Sequence, residues 1–116
     1  MAESFGEQIR RRREEVGITL RAAAAKLDVS PAYLSRLERD QETPTLERIQ
    51  QIATLLEAPA DVLFTAARQV APELSKYIAT TPTLPAFLRL AREKNLSAED
   101  FEALTRKIAR TKKDGG

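Results

Sequence analysis

The sequence predicts an all-α chain, and three observations carry that prediction. Apolar residues recur at three- and four-residue spacings, as on one face of a helix; Leu46, Ile49, Ile52, Ala53 and Leu56 are the clearest run. Ser or Thr precedes several such runs, where its oxygen can accept from the orphan amides of a first helical turn. No stretch reads as a convincing strand. The expected organisation is a five-helix domain over residues 1–66, a linker at 67–71, a small helical region at 72–112 and a flexible tail at 113–116.

Taken in order, Ser4 and Glu7 make a capping box for a first helix whose buried stripe is Phe5, Ile9 and Val16, up to Gly17. Thr19 caps a second helix, "LRAAAAKL", with Leu20, Ala23, Ala24 and Leu27 on one face. Asp28 ends it, since Asp tolerates the left-handed backbone of such a turn, though less well than glycine. Ser30-Pro31 opens a third helix, with Ser as N-cap and Pro at the first position, where no amide partner is needed. Leu34 and Leu37 are its buried pair. Pro44-Thr45 closes a loop and caps the fourth helix, and a short fifth runs from Pro59 to near Phe64. Beyond the linker come a short helix around 73–78, another from Leu84 to Lys94, and a last one capped by Ser97 and Asp100 with a stripe of Phe101, Leu104 and Ile108.

Composition narrows the function. There is no cysteine, which excludes a disulfide framework, a thiolate metal site and a thiol nucleophile. There is no histidine, which removes the usual general base and the commonest zinc ligand. The acid pairs Glu14–Glu15 and Glu99–Asp100 are sequence neighbours and project in different directions on a helix. With no glycine-rich phosphate loop either, neither catalysis nor a metal or other cofactor is expected. No apolar run approaches the roughly 18 residues of a membrane span and no signal peptide is evident, so the expectation is a soluble cytoplasmic protein with no membrane partner. The formal charge is +2, but residues 1–64 carry nine Lys/Arg against eleven Asp/Glu, while residues 65–116 carry ten against six. Any polyanion-binding surface in the first half must be a local patch.

The third helix has about ten residues, too few to be stable alone, because isolated helices below roughly 12–15 residues are marginal in water. Two short helices joined by a three-to-four-residue turn, with the small Ala24 where they cross, make a helix-turn-helix arrangement. The stretch "GITLRAAAAKLDVSPAYLSRLERDQETPTLERIQQIATLL" resembles the phage repressor and Cro-type (XRE) family, over roughly residues 5–65. That resemblance implies a repressor-like fold and a transcriptional regulator that binds double-stranded DNA, and so a nucleoid-associated protein. Asp28 and Asp40 stand where the family commonly has glycine, and Ala23 where it commonly has a larger apolar residue.

Arg36 points outward one turn into the third helix, where its planar guanidinium suits guanine O6 and N7; the alternative is a solvated surface arginine. Ala32 could touch a thymine methyl. Tyr33 faces the same way, with a core position as its alternative. Pro31 and Ser35 could touch the groove wall, and Ser35 is counted with the backbone contacts. The resemblance implies phosphate contacts from Arg39, Gln41, Thr43 and Thr45, the last also a helix cap. Arg21, beside the positive start of the second helix, suits a phosphate too. Arg10 to Arg13 spread around a helix axis and cannot form one face; Arg12 and Arg13 are the members expected to touch the backbone. The resemblance also pairs Arg13 with Glu38 as a structural ion pair.

The region after Pro72 is longer than DNA binding requires. Its stripes, including Phe87, Leu88, Phe101, Leu104 and Ile108, are too small for a core of their own and suit a homodimer interface. The layout resembles small repressors of the SinR and DdrO types, which implies an antirepressor or a regulatory metallopeptidase as a further partner. The reading is a dimeric repressor on a palindromic operator. Its alternative is a protein-interaction module, such as an antitoxin-like partner with a vestigial helix-turn-helix.

Overall fold

The computed structural model describes residues 3–111, and all regular structure among them is helical. The elements are α1 (Phe5–Val16), α2 (Leu20–Leu27), α3 (Pro31–Glu38), α4 (Leu46–Leu56), α5 (Ala60–Ala66), α6 (Pro72–Ala79), α7 (Leu84–Glu93) and α8 (Ala98–Thr111). The tail expected at 113–116 lies outside the described residues. The chain divides into two compact units, residues 1–75 and 76–116, with the division inside α6.

Local chemistry starts these helices. The amides of Glu7, Ala22, Tyr33 and Arg48 donate to the side-chain oxygens of Ser4, Thr19, Ser30 and Thr45 at 3.0–3.1 Å. Ser4 and Glu7 form the reciprocal box, with the Ser4 amide donating to Glu7 Oε1 at 2.9 Å. Each cap satisfies one amide that the helix cannot. At the other ends, Gly17, Asp28 and Glu57 cap α1, α2 and α4 in the left-handed region, and Asp40 adopts it just past α3.

The first unit closes one core. Ile9, Leu37, Ile49 and Ile52 are its largest fully buried side chains, and Ala24 is completely enclosed where α2 packs on α3. Leu63 and Phe64 of α5 and Ala71 beyond it belong to the same cluster, so the core continues past the helix-turn-helix. A cavity of about 10 Å³ lies beside Ala23, bordered by Leu27, Leu34 and Ile52. It is at the lower limit for one water. Two expected core residues are not buried: Val16 is 40% exposed and Leu46 37%. The left-handed turn at Gly17 folds Ile18 against the core in place of Val16, and Leu46 is the first residue of α4, where the helix has only begun to enter the core.

In the second unit, α8 opens with a box of its own. The Ser97 amide donates to Asp100 Oδ2 at 2.8 Å and the Asp100 amide to Ser97 Oγ at 3.2 Å. The hydrogen bonds from the Ser97 amide and hydroxyl hold the Asp100 carboxyl below its ordinary value. A lowered carboxyl stabilises above its unfolded pKa, and that help fades as pH falls through the lowered value. Within α7 and α8 only Ala91 is buried.

Gly6 shows how closely α1 approaches α3. A Cβ added there would sit 2.5 Å from the Glu38 carbonyl oxygen and 2.6 Å from that of Leu37, both rigid backbone atoms. Gly6→Ala is therefore expected to force the helices apart and destabilise the protein by about 1–3 kcal/mol, the usual range for overpacking. Urea unfolding of the two proteins measures this, and equal midpoints would show that α1 can shift freely.

Candidate nucleic-acid interface

The site is built on α3, which is anchored from behind by α1. Arg13 Nε donates to Glu38 Oε2 at 2.7 Å and Nη2 to Oε1 at 3.1 Å, a two-pronged pair. Its Nη1 donates to the Ile18 carbonyl at 3.0 Å. The side chains are 13% and 7% exposed. Hydrogen bonding to Glu38 raises the Arg13 pKa above its already high value, and burial opposes this. Asp40 ties the far end of α3 to the start of α1, accepting from Ser4 Oγ at 2.6 Å and from the Gly6 amide at 2.9 Å. The residue that tolerates the left-handed turn also uses its carboxylate as a second cap on α1.

With its back held, α3 turns the rest of its surface outward. Ala32 is exposed, and Pro31, Tyr33, Ser35 and Arg36 are half-buried. Arg36 Nε donates to Glu42 Oε1 at 3.3 Å. Two guanidinium groups lie over the Tyr33 ring, Arg36 at 5.9 Å and Arg48 at 5.8 Å from its centre. Tyr33 also packs against the core while remaining partly accessible. Around this face stand exposed Arg39, Gln41, Thr43 and Thr45 in and beside the loop to α4, and exposed Arg21 in the first turn of α2. Arg39 Nε donates to the Ser35 carbonyl at 3.3 Å.

Arg13 spends its guanidinium group inside the protein, whereas Arg12, 34% exposed, also pairs with Glu15 at 3.5 Å. Arg12 Nε donates to the Leu56 carbonyl at 2.9 Å and Nη2 to that of Glu57 at 3.5 Å, so it caps the end of α4. The remaining arginines of that run pair with acids on or next to α1: Arg11 with Glu3 and Glu15, Arg10 with Glu14. Phe87, Leu88, Phe101, Leu104 and Ile108 lie in the second unit and are all exposed.

Three contributors escaped sequence reasoning. Arg48 donates to the Leu27 carbonyl at 3.0 Å and to Gln51 Oε1 at 2.8 Å, joining the end of α2 to α4 beneath Tyr33. Glu42 lies six residues past Arg36 in a loop, where no helical period announces a partner. The carboxylate role of Asp40 spans 34 and 36 residues of chain. Only Arg48 carried a hint, in standing three residues after a helix cap.

A short helix presenting an arginine and small side chains outward, flanked by the capped starts of α2 and α4, is the geometry of a helix-turn-helix domain. Residues 9–63 match the HTH_3 helix-turn-helix family. Two curated relatives, uncharacterized HTH-type transcriptional regulators from two strains of Mycobacterium tuberculosis, are 36% identical over 67 residues. The match covers 58% of this chain, which spans about half the length of those relatives, 48%. Among solved structures, the clp gene regulator ClgR from Corynebacterium glutamicum is 25% identical with a TM-score of 0.50, over 80% of this chain and 92% of its own. The SinR–SinI protein complex shares the fold at 22% identity and a TM-score of 0.51, over 93% and 99%.

The depth of the Arg13–Glu38 pair puts it in the range where losing one partner is expensive. Glu38→Ala is expected to cost roughly 3–5 kcal/mol by stranding a buried guanidinium, against about 0–1 for an exposed pair. Thermal melts of both single variants and the Arg13→Ala/Glu38→Ala double variant form the cycle. Strictly additive losses would mean that the pair is not coupled.

Proposed function

We propose that this chain is a sequence-specific DNA-binding transcriptional regulator that lays α3 in the major groove. In this reading it is a dimeric repressor on a palindromic operator. The observation that carries the reading is the outward face of α3, with Arg36 raised on it and phosphate-suited groups on both sides. Ala32 and Arg36, with the edge of Tyr33, read bases. Arg21, Ser35, Arg39, Gln41, Thr43 and Thr45 hold the backbone, where the amides at the starts of α2 and α4 add partial positive charge. The relatives, themselves HTH-type transcriptional regulators, support the same class.

Dimerisation is supported by the second unit. A segment of residues 76–116 is near the size at which folding alone needs a staple or a partner, and α7 and α8 bury only Ala91. Phe87 is 50% exposed and Ile108 60%, an arrangement that marks an interaction surface. A second copy supplies the missing cover and aligns two recognition helices with two half-sites.

Two measurements test the reading. Arg36→Ala should weaken binding to a duplex selected from a randomised library by roughly 1–3 kcal/mol and flatten preference at one base pair. An unchanged preference profile would remove α3 from base readout. Leu104→Asp, which sets an unpaired charge in the proposed interface, should convert a dimer to a monomer in sedimentation. Linking two modules raises avidity by about 10²–10⁴, so this variant should lose a corresponding share of affinity for a two-half-site duplex. A wild-type monomer at micromolar concentration would end the dimer reading.

A further inference from the structure

We propose that Glu42, which the reading above does not place on DNA, is a positioning residue that sets the specificity of Arg36. The inference rests on Arg36 reading a base. Two contacts fix the guanidinium in the free protein: the Tyr33 ring lies under it at 5.9 Å and Glu42 Oε1 accepts from Nε at 3.3 Å. Tyr33 is held in turn by the core and by Arg48, itself tied to the Leu27 carbonyl. Engaging Arg36 through Nε leaves the two terminal nitrogens available. Those two form one of the guanidinium edges that can bond guanine O6 and N7 bidentately, and the contact with Glu42 selects it over the edge that includes Nε. The arginine is thus oriented before DNA arrives, and less rotamer freedom is lost on binding.

The position of Glu42 adds the opposite half of the effect. It lies between Gln41 and Thr43, two exposed residues of the phosphate-facing loop. A carboxylate there is repelled by phosphates unless a cation neutralises it. On a duplex offering the right guanine, Arg36 keeps Nε on Glu42 and gives its terminal nitrogens to the base. On any other duplex Arg36 gains most by swinging to a phosphate, and doing so strands Glu42 beside the backbone. The wrong complex is penalised as the right one is favoured, which is how discrimination exceeds the value of one contact.

The test uses the full chain, a duplex that it selects from a randomised library, single-base-pair variants of that duplex, and a mixed-sequence duplex. Arg36→Ala is the reference. Glu42→Ala should lower preference at the same base pair by roughly 2- to 12-fold, the scale of ordering one long side chain. The Arg36→Ala/Glu42→Ala double variant should be no worse than Arg36→Ala. Glu42→Gln retains an acceptor for Nε and should recover most of the preference, whereas both Glu42 variants should bind the mixed-sequence duplex more tightly. Matched thermal melts show that the fold is intact, as expected for a pair 43% and 39% exposed. Full preference in Glu42→Ala, or a loss that adds to that of Arg36→Ala, overturns the positioning role while leaving base readout by Arg36 standing. If Arg36→Ala itself keeps the preference, or the wild-type chain selects no duplex, the reading of α3 and this inference fall together.

Discussion

The buried pair of Arg13 and Glu38 is the constraint on which the candidate recognition surface depends. α3 has eight residues and turns part of its surface to solvent, so its position must be fixed from the side it buries. Two apolar residues, Leu34 and Leu37, hold it in depth but do not stop it sliding along or rotating against α1. A bidentate ion pair opposes both, because two donors on one guanidinium edge and both carboxylate oxygens must stay in register. The pair's desolvation is offset by hydrogen bonds, including the third donor to the Ile18 carbonyl, and no buried side-chain polar atom among the described residues lacks a partner. A pair of this kind adds less to net stability than its geometry suggests, since an apolar replacement can be as stable. Its value here is register. Gly6 and Asp40 extend the same constraint, one allowing α1 to touch the α3 backbone and the other binding the turn after α3 to the start of α1.

Charge placement resolves what charge counting leaves open. The first half of the chain is slightly acidic, which would oppose polyanion binding if the charge were spread evenly. It is not spread evenly. Three of the acids, Glu3, Glu14 and Glu15, are consumed in exposed pairs with Arg10, Arg11 and Arg12, and Glu38 by Arg13. Exposed pairs of this kind contribute about 0–1 kcal/mol each to stability. What they do is cancel field on α1, so that the unpaired or loosely paired arginines of this half, Arg21, Arg36, Arg39 and Arg48, lie on α2, α3, the turn after it and α4. Of the acids nearby, Glu42 is paired with Arg36, and Asp40 is engaged by Ser4 and Gly6 at the start of α1.

What the sequence made legible was local. Ser4, Thr19, Ser30, Thr45 and Ser97 stand within three residues of the amides they bond, so each helix start could be placed from the string of residues. Asp28 announced a left-handed turn because a short polar side chain tolerates one, and Asp40 did so through the family resemblance. Glu57, Arg68 and Asn95 adopt the same backbone; Asn95 carried a weak signal, whereas Glu57 and Arg68 carried none. Periodicity placed Val16 and Leu46 on the apolar face but could not say that the core ends short of them. The candidate site follows the same division. Arg36 was legible from its outward position on a short helix, and Arg13–Glu38 only through family resemblance, since 25 residues separate the partners. Glu42, Arg48 and the carboxylate of Asp40 depend on loops and helices brought together by tertiary packing, and no local pattern encodes them.

The two units differ in what closes them. The first has a core running from Phe5 to Ala71, so it can hold α3 in place at any concentration. The second has apolar faces left open, and of its helices α8 carries a side-chain cap while α7 has none. Caps lower the cost of forming a helix but do not supply the burial that keeps it packed, and each helix of α6–α8 is short enough to be marginal in isolation. On the dimer reading, packing of the second unit and association are therefore one equilibrium, subject to mass action. Low protein concentration would then loosen the second unit without unfolding the first. A chain built this way needs no conformational signal between its parts to regulate DNA occupancy. On that reading, a rise in protomer concentration, or a competitor for the faces of α7 and α8, would change only how many copies of α3 are delivered together. The first unit remains unaltered, and the free energy of each half-site contact stays the same.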